Sequence, residues 1–330
     1  MYTRLLLTLF LLTLTAGCTQ DAPAPDAEAP AVTEAPPVPE APPATEVLSL
    51  FGTPLVPPPL SPERQAQLEA DLAAAQAVYD RNPGDADAAI WLGRRTAYLW
   101  RYREAIDLFT EGLRKHPDDP RLYRHRGHRY LTVRDFDRAV ADLERAAQLI
   151  EGTPDEIEPD GAPNAAGIPT STLHTNIFYH LGLAYYLKGD FENALTAYRR
   201  CLDASDNNDM YVATADWLYM TLRRLGRDDE AADLLEPISG GMDLLENTAY
   251  HRRLLMYKGE LDPEALLDVG EGEDPALTFA TQGYGVGNWY LYNGRTEQAA
   301  AVFRRVLEGS YWAAFGYLAA EADLKRMGNG

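Results

Sequence analysis

The sequence predicts an all-α array of stacked helix pairs, and three observations carry that prediction. Gly93 and Gly127 lie 34 residues apart, as do Ala105 and Ala139. Ala194 follows Ala139 by 55, one such period plus 21, and Ala231, Ala265 and Ala299 follow at 37, 34 and 34. Short turn-like stretches precede these alanines ("RDFDRA", "GDFENA", "GRDDEA", "GRTEQA"), and apolar residues recur at helical spacing on both sides of them. A unit of this period buries its apolar face only against its neighbours, so successive units stack into a solenoid instead of closing around one core.

At the N-terminus, "MYTRLLLTLFLLTLTAGC" has one basic residue, Arg4, then an apolar run from Leu5 to Thr15. Eleven residues are too few to span a bilayer and suit an export signal. The ending "TAGC" resembles the lipobox of bacterial lipoproteins, with Thr15 where that motif usually has leucine. The resemblance implies that residues 1–17 are removed and that Cys18 carries palmitate and other acyl chains, an anchor in the lipid bilayer. Because Thr19, not Asp, follows the cysteine, it also implies an outer-membrane position facing the periplasm in a two-membrane bacterium. Otherwise it implies the outer face of the cell membrane. The alternative is an ordinary signal peptide with a chance cysteine.

Residues 18–61 read as a lipidated cysteine and a disordered linker. From Thr19 to Ser61 there are twelve prolines and six acids with no base, a composition that buries no core. Fully extended it would reach about 130 Å. Within it "VLSLFG" (47–52) is apolar enough to dock on the first helix. The solenoid is placed at 62–330, opening with a lone helix in "SPERQAQLEADLAAAQAVYDRNP". Helix pairs follow at about 86–119, 120–153, 175–208, 212–245, 246–279 and 280–313, and a capping helix at 311–327 closes it. Pro83 and Pro117 stop second helices, since proline lacks the donor that a continuing helix needs. "FYHLGLAYYLKGDFENALTAYRRCL" (178–202) carries an aromatic, Leu-Gly, Tyr, Ala and aromatic in the order of the tetratricopeptide repeat. Residues 120–150 carry the pattern nearly as well, and the chain is similar to that family from about 62 to 327. Gly93, Gly127, Gly182 and Gly287 are expected to face Ala105, Ala139, Ala194 and Ala299. In "SYWAAFGYLAAEADLKRMG", Glu321, Asp323, Lys325 and Arg326 are expected to solvate one side of the cap. The insertion "EGTPDEIEPDGAPNAAGIPTST" (151–172) reads either as a tolerated excursion or as a lid over the basic region described next.

A net charge of −20 argues against nucleic acid and against adhesion to anionic lipid. Yet residues 91–130 hold ten of the 30 Lys and Arg, with five acids. The resemblance places first helices on a concave face and so puts Arg94, Arg121, Arg124 and His128 on or near it. Tyr98, Asn176, Tyr179 and Tyr186 continue that surface, and Tyr284 and Asn288 offer a second patch. Arginine forks hold carboxylates and tyrosine rings give stiff contact area, so the groove is expected to take a protein or peptide with an acidic or C-terminal carboxylate. The alternative is that these arginines pair with Asp118, Asp119, Asp135 and Asp137. His125 and His128 are spaced for a metal, but Arg121, Arg124, Arg126 and Arg129 crowd their helix, and no metal or cofactor is expected. "GYGVG" (283–287) follows no strand and reads as close packing. Cys201 reads as buried and inert. No nucleophile elbow, zinc signature or opposed acid pair is present, so an enzyme is not expected. The reading is a membrane-anchored adaptor in cell-envelope assembly. Its alternatives are a binder of wall glycan through groove aromatics and a self-associating spacer.

Overall fold

The computed structural model describes residues 47–159, 161, 163–270 and 275–328. The signal peptide, Cys18 and the linker as far as residue 46 lie outside the described residues. The described chain is a solenoid of helices with one two-stranded hairpin.

Helix α1 (Pro62–Arg81) stands alone. Six antiparallel pairs follow: α2 (Ala86–Tyr98) with α3 (Tyr102–Lys115), and α4 (Pro120–Thr132) with α5 (Phe136–Leu149). Next come α6 (Leu173–Lys188) with α7 (Phe191–Ala204) and α8 (Asn208–Arg224) with α9 (Asp228–Leu235). The last two are α10 (Thr248–Tyr257) with the short α11 (Pro263–Leu267), and α12 (Pro275–Tyr292) with α13 (Thr296–Leu307). Helix α14 (Phe315–Arg326) ends the array. Side-chain caps start many of these helices, as Asp85, Asp119, Asp135, Asp190 and Asn207 accept first-turn N–H groups, and Thr172 and Thr175 form a reciprocal capping box. Such caps satisfy donors that a helix start otherwise leaves open.

The turn inside each pair needs one left-handed residue, supplied by Gly189, Gly226, Gly259 and Gly294 in the later pairs. In the first two pairs Trp100 and Arg134 adopt it instead, with φ of 64° and 66°. First helices of successive pairs approach one another, α2 with α4, α4 with α6 and α6 with α8. Successive second helices do not pack in this way, so the first helices line the inside of the curve.

Three expectations are corrected here. Helix-facing glycines do not oppose the alanines. A Cβ on Gly93 would meet the Phe109 ring, on Gly127 Leu143, on Gly182 Tyr198 and on Gly287 Phe303. The four alanines are fully buried. "VLSLFG" does dock, but on the opposite end of the chain from α1. Strands β1 (Val47–Leu48) and β2 (Pro54–Leu55) pair antiparallel, and Val47 is fully buried. Leu50 N–H donates to Glu321 at 2.5 Å, Lys325 Nζ to the Leu50 carbonyl at 2.5 Å and Trp312 Nε1 to the Val56 carbonyl at 2.8 Å. Residues 47–56, placed in the linker by the sequence reading, are therefore held against the end of the array. Nor do Glu321 and Asp323 face water, since both are buried. Arg134 sits 2.9 Å from Glu321, and Arg224 and Arg326 hold Asp323 at 2.9 and 2.6 Å. The glycines of "GYGVG" mark close packing, with Gly285 leaving room for the Arg253 side chain.

Candidate binding surface

Helix α14 lies inside the curve. Phe315 at its start packs near His128, His180 and Tyr179, with ring centroids at 5.4, 5.6 and 6.1 Å. At its far end Arg326 Nη1 donates to the Leu187 carbonyl. The open groove of the sequence reading is thus partly filled by the chain itself. Tyr186, Tyr284 and Asn288 are fully buried. Tyr284 Oη donates to Asp323 at 2.9 Å and lies 2.7 Å from Tyr186 Oη, and Arg224 donates to Asn288 at 3.0 Å. Tyr179 is 7% exposed and donates to Tyr250. These four line the inner face but meet α14 or their own neighbours, not solvent. Arg121 is also spent, paired with Asp87 at 2.5 Å and Asp119 at 2.6 Å.

Of the remaining residues, Arg94, Tyr98, Arg124 and Asn176 on α2, α4 and α6 meet the insertion, and His128 on α4 meets Phe315. Its ends are tied by a bridge between Ile157 and Thr172. Glu158, 9% exposed, brings its carboxylate to Arg124 Nε at 3.2 Å and His125 Nε2 at 3.6 Å, and accepts from Asn176 Nδ2 at 3.2 Å. Arg94 donates to the Pro159 carbonyl at 2.8 Å and Arg95 to the Gly161 carbonyl at 3.2 Å. Arginine only donates, so the 3.0 Å contact from Arg124 Nη1 to His125 Nδ1 fixes the imidazole proton on Nε2, toward Glu158. The insertion therefore lies against Arg94, Arg95, Arg124 and Asn176.

Burial holds His125, His128 and His180 well below their ordinary pKa, and neighbouring arginines add to it. His180 Nδ1 lies 2.6 Å from the Asn176 carbonyl and so carries the proton, and its Nε2 has no partner among the described residues. Arg129 is pulled down to about 10, chiefly by burial, with Arg124 and Arg94 adding to it. Beside Phe315 a cavity of about 640 Å³, lined by His128, Tyr250, Arg252 and Gln282 among others, leaves part of the inner face open. Cys201 is fully buried, its thiol pushed up to about 12 by burial.

Glu158, His180 and Phe315 were missed in the sequence reading. The acidic run in the insertion, five acids and no base from 151 to 160, was a usable signal for Glu158. Nothing local marks Phe315, whose partners lie more than 130 residues away.

Two segments, 97–155 and 176–208, match models of the tetratricopeptide repeat. The chain is 23% identical over 141 residues to BBSome complex member BBS4 of Bos taurus, which covers 43% of this chain and only 23% of that one. Among solved structures it is similar to a tetratricopeptide repeat protein from Parabacteroides merdae (16% identity, 79% of this chain, 94% of that chain, TM-score 0.47). It is also similar to YrrB, described as a TPR protein with an unusual peptide-binding site (17% identity, 76% of this chain, 97% of that chain, TM-score 0.40). The chain is thus an all-α solenoid that matches the tetratricopeptide repeat in sequence over those two segments.

Proposed function

We propose that this protein is an exported, lipid-anchored adaptor that captures a protein partner through an acidic segment. The observation that carries the proposal is the carboxylate already seated on the inner face, where Arg124, His125 and Asn176 converge on Glu158. A surface that holds a carboxylate of its own chain has the charge and geometry to hold another's. Solenoids of this type leave an extended inner surface for binding, and a scaffold role follows from that more readily than catalysis does. Anchoring at Cys18 and service in cell-envelope assembly rest on the N-terminal sequence. The glycan reading loses its support, because Tyr179 and Tyr284 are buried.

Chemical crosslinking of the full chain in its native envelope tests the proposal. One dominant protein should be captured, and Arg124→Glu should abolish that crosslink while far-UV helicity is unchanged. Equal capture by the variant would refute the assigned surface. Cys18→Ser should move the protein from the membrane fraction to the soluble one, and retention in the membrane would refute the anchor.

A further inference from the structure

We propose that the cavity beside Phe315 is a second binding site, built for a small carboxylic acid with an apolar body. It lies apart from the carboxylate seat of Glu158 and does not depend on it.

The cavity measures about 640 Å³, within the span that small-molecule sites occupy. Its place among the helices gives it a sign. Asn247 and Thr248 at the start of α10 line it, as do Ala314 and Phe315 at the start of α14. It therefore lies off the N-terminal ends of both helices. Leu277 and Thr278, in the first turn of α12, form a further wall. Neither α10 nor α14 has a side-chain cap, so their first-turn N–H groups still call for acceptors. These ends are the positive poles of their helices, and a negative group is stabilised there.

Two side chains add to the helix starts. Arg252 lines the cavity, donates to the Ala265 carbonyl at 3.3 Å, and has no ion pair among the described residues. Gln282 lines it too and is only 2% exposed, yet its amide oxygen has no partner among the described residues. A buried amide left unbonded is costly. Its last torsion is broad and roughly two-fold, so with nothing to hold it the amide can turn its N–H groups to an acid in the cavity. A ligand bonded there removes the cost.

Charge balance selects the class of ligand. Among the lining side chains Arg252 is the cation and Glu246 the anion, and Glu246 already accepts from Thr170. His128, also on the wall, is held neutral by burial. The formal charge of the lining is thus zero, and the helix starts tip the site positive. That suits a single negative charge and leaves a doubly charged phosphate ester unbalanced. Val269, Phe315 and Leu277, which is 40% exposed, supply apolar wall, so the body behind the carboxylate is hydrocarbon.

The test is calorimetric titration of the full chain with 3-phenylpropanoate and with 3-phenylpropanamide, which has the same body without the charge. The acid should bind with a Kd of about 1 mM or tighter, and the amide about tenfold more weakly. Arg252→Gln and Gln282→Leu should each weaken the acid about tenfold, the loss of one hydrogen bond to a charged group, with far-UV helicity unchanged. Glu246→Gln, which removes the opposing charge, should tighten it. Gln282→Leu should also keep or raise the thermal midpoint of the free protein, because it removes an unbonded buried amide. Arg252 is half-buried, so its variant reads the site even where Gln282→Leu fails to fold. Arg124→Glu should leave the acid's affinity in place, which separates this site from the Glu158 surface. No heat from the acid at about 10 mM, equal binding of acid and amide, or an affinity untouched by Arg252→Gln overturns the site.

Discussion

Gly182 shows how one residue type sets the spacing of a helix pair. It lies eight residues before Asp190 and Tyr198 eight after, and an antiparallel hairpin brings residues equally far from its turn to one height. The same symmetry holds for Gly93 and Phe109 about Arg101, Gly127 and Leu143 about Asp135, and Gly287 and Phe303 about Arg295. A large side chain on the second helix therefore seats against bare backbone on the first. The recurrence of these glycines is visible in the sequence, but their partners were misassigned because period alone does not give height. Gly182→Ala would place a Cβ 2.6 Å from the Tyr198 ring, and that ring is fully buried with no room to yield. Overpacking of about 1–3 kcal/mol outweighs the roughly 1 kcal/mol gained in helix propensity. Urea unfolding should show a net loss of up to about 2 kcal/mol, and an unchanged or raised midpoint would refute the packing account.

At the scale of elements, the closing helix α14 does more than cap. Its acids Glu321 and Asp323 look like a solvated stripe from their spacing, and their partners Arg134 and Arg224 lie 187 and 99 residues away, beyond what local pattern reveals. Arg134 occupies a turn position that glycine fills in later pairs, and Trp100 occupies another. From there both reach Trp312, at 5.5 and 5.0 Å to its ring. Left-handed strain of about 1–2 kcal/mol is accepted in exchange for side chains that clamp the end of the array to its start. Arg134→Gly separates the two effects. It relieves the strain but leaves Glu321 buried without its cation, a loss of about 3–5 kcal/mol. The net expectation is destabilisation of about 1–4 kcal/mol in urea, where a gain in stability would show the clamp to be unimportant.

For the molecule as a whole, the class of fold and the number of helix pairs were legible because each unit repeats a local pattern. The filled interior was not, because it depends on where segments far apart in sequence meet. That interior makes stability depend on pH. His125, His128 and His180 sit against Arg94, Arg124 and Arg129, with Glu158 the acid nearest to His125. Burial first and these cations second depress their pKa values in the folded state. A depressed histidine contributes stability above its unfolded pKa of about 6.5, and that contribution is lost as pH falls below it, since the unfolded chain then binds protons the folded one refuses. Asp216 acts in the opposite direction. Burial, against the pull of Arg253, raises its carboxyl to about 7, so its contribution is present at low pH and is lost as pH rises through 7. Three groups oppose one between pH 6.5 and 5, a net uptake of at most two protons on unfolding. That bounds the slope at roughly 2–3 kcal/mol per pH unit. The urea midpoint should therefore fall on acidification from pH 7 to 5.5, and His180→Gln should flatten the fall. A midpoint that is level or rises over that range would mean the three histidines are free to protonate in place.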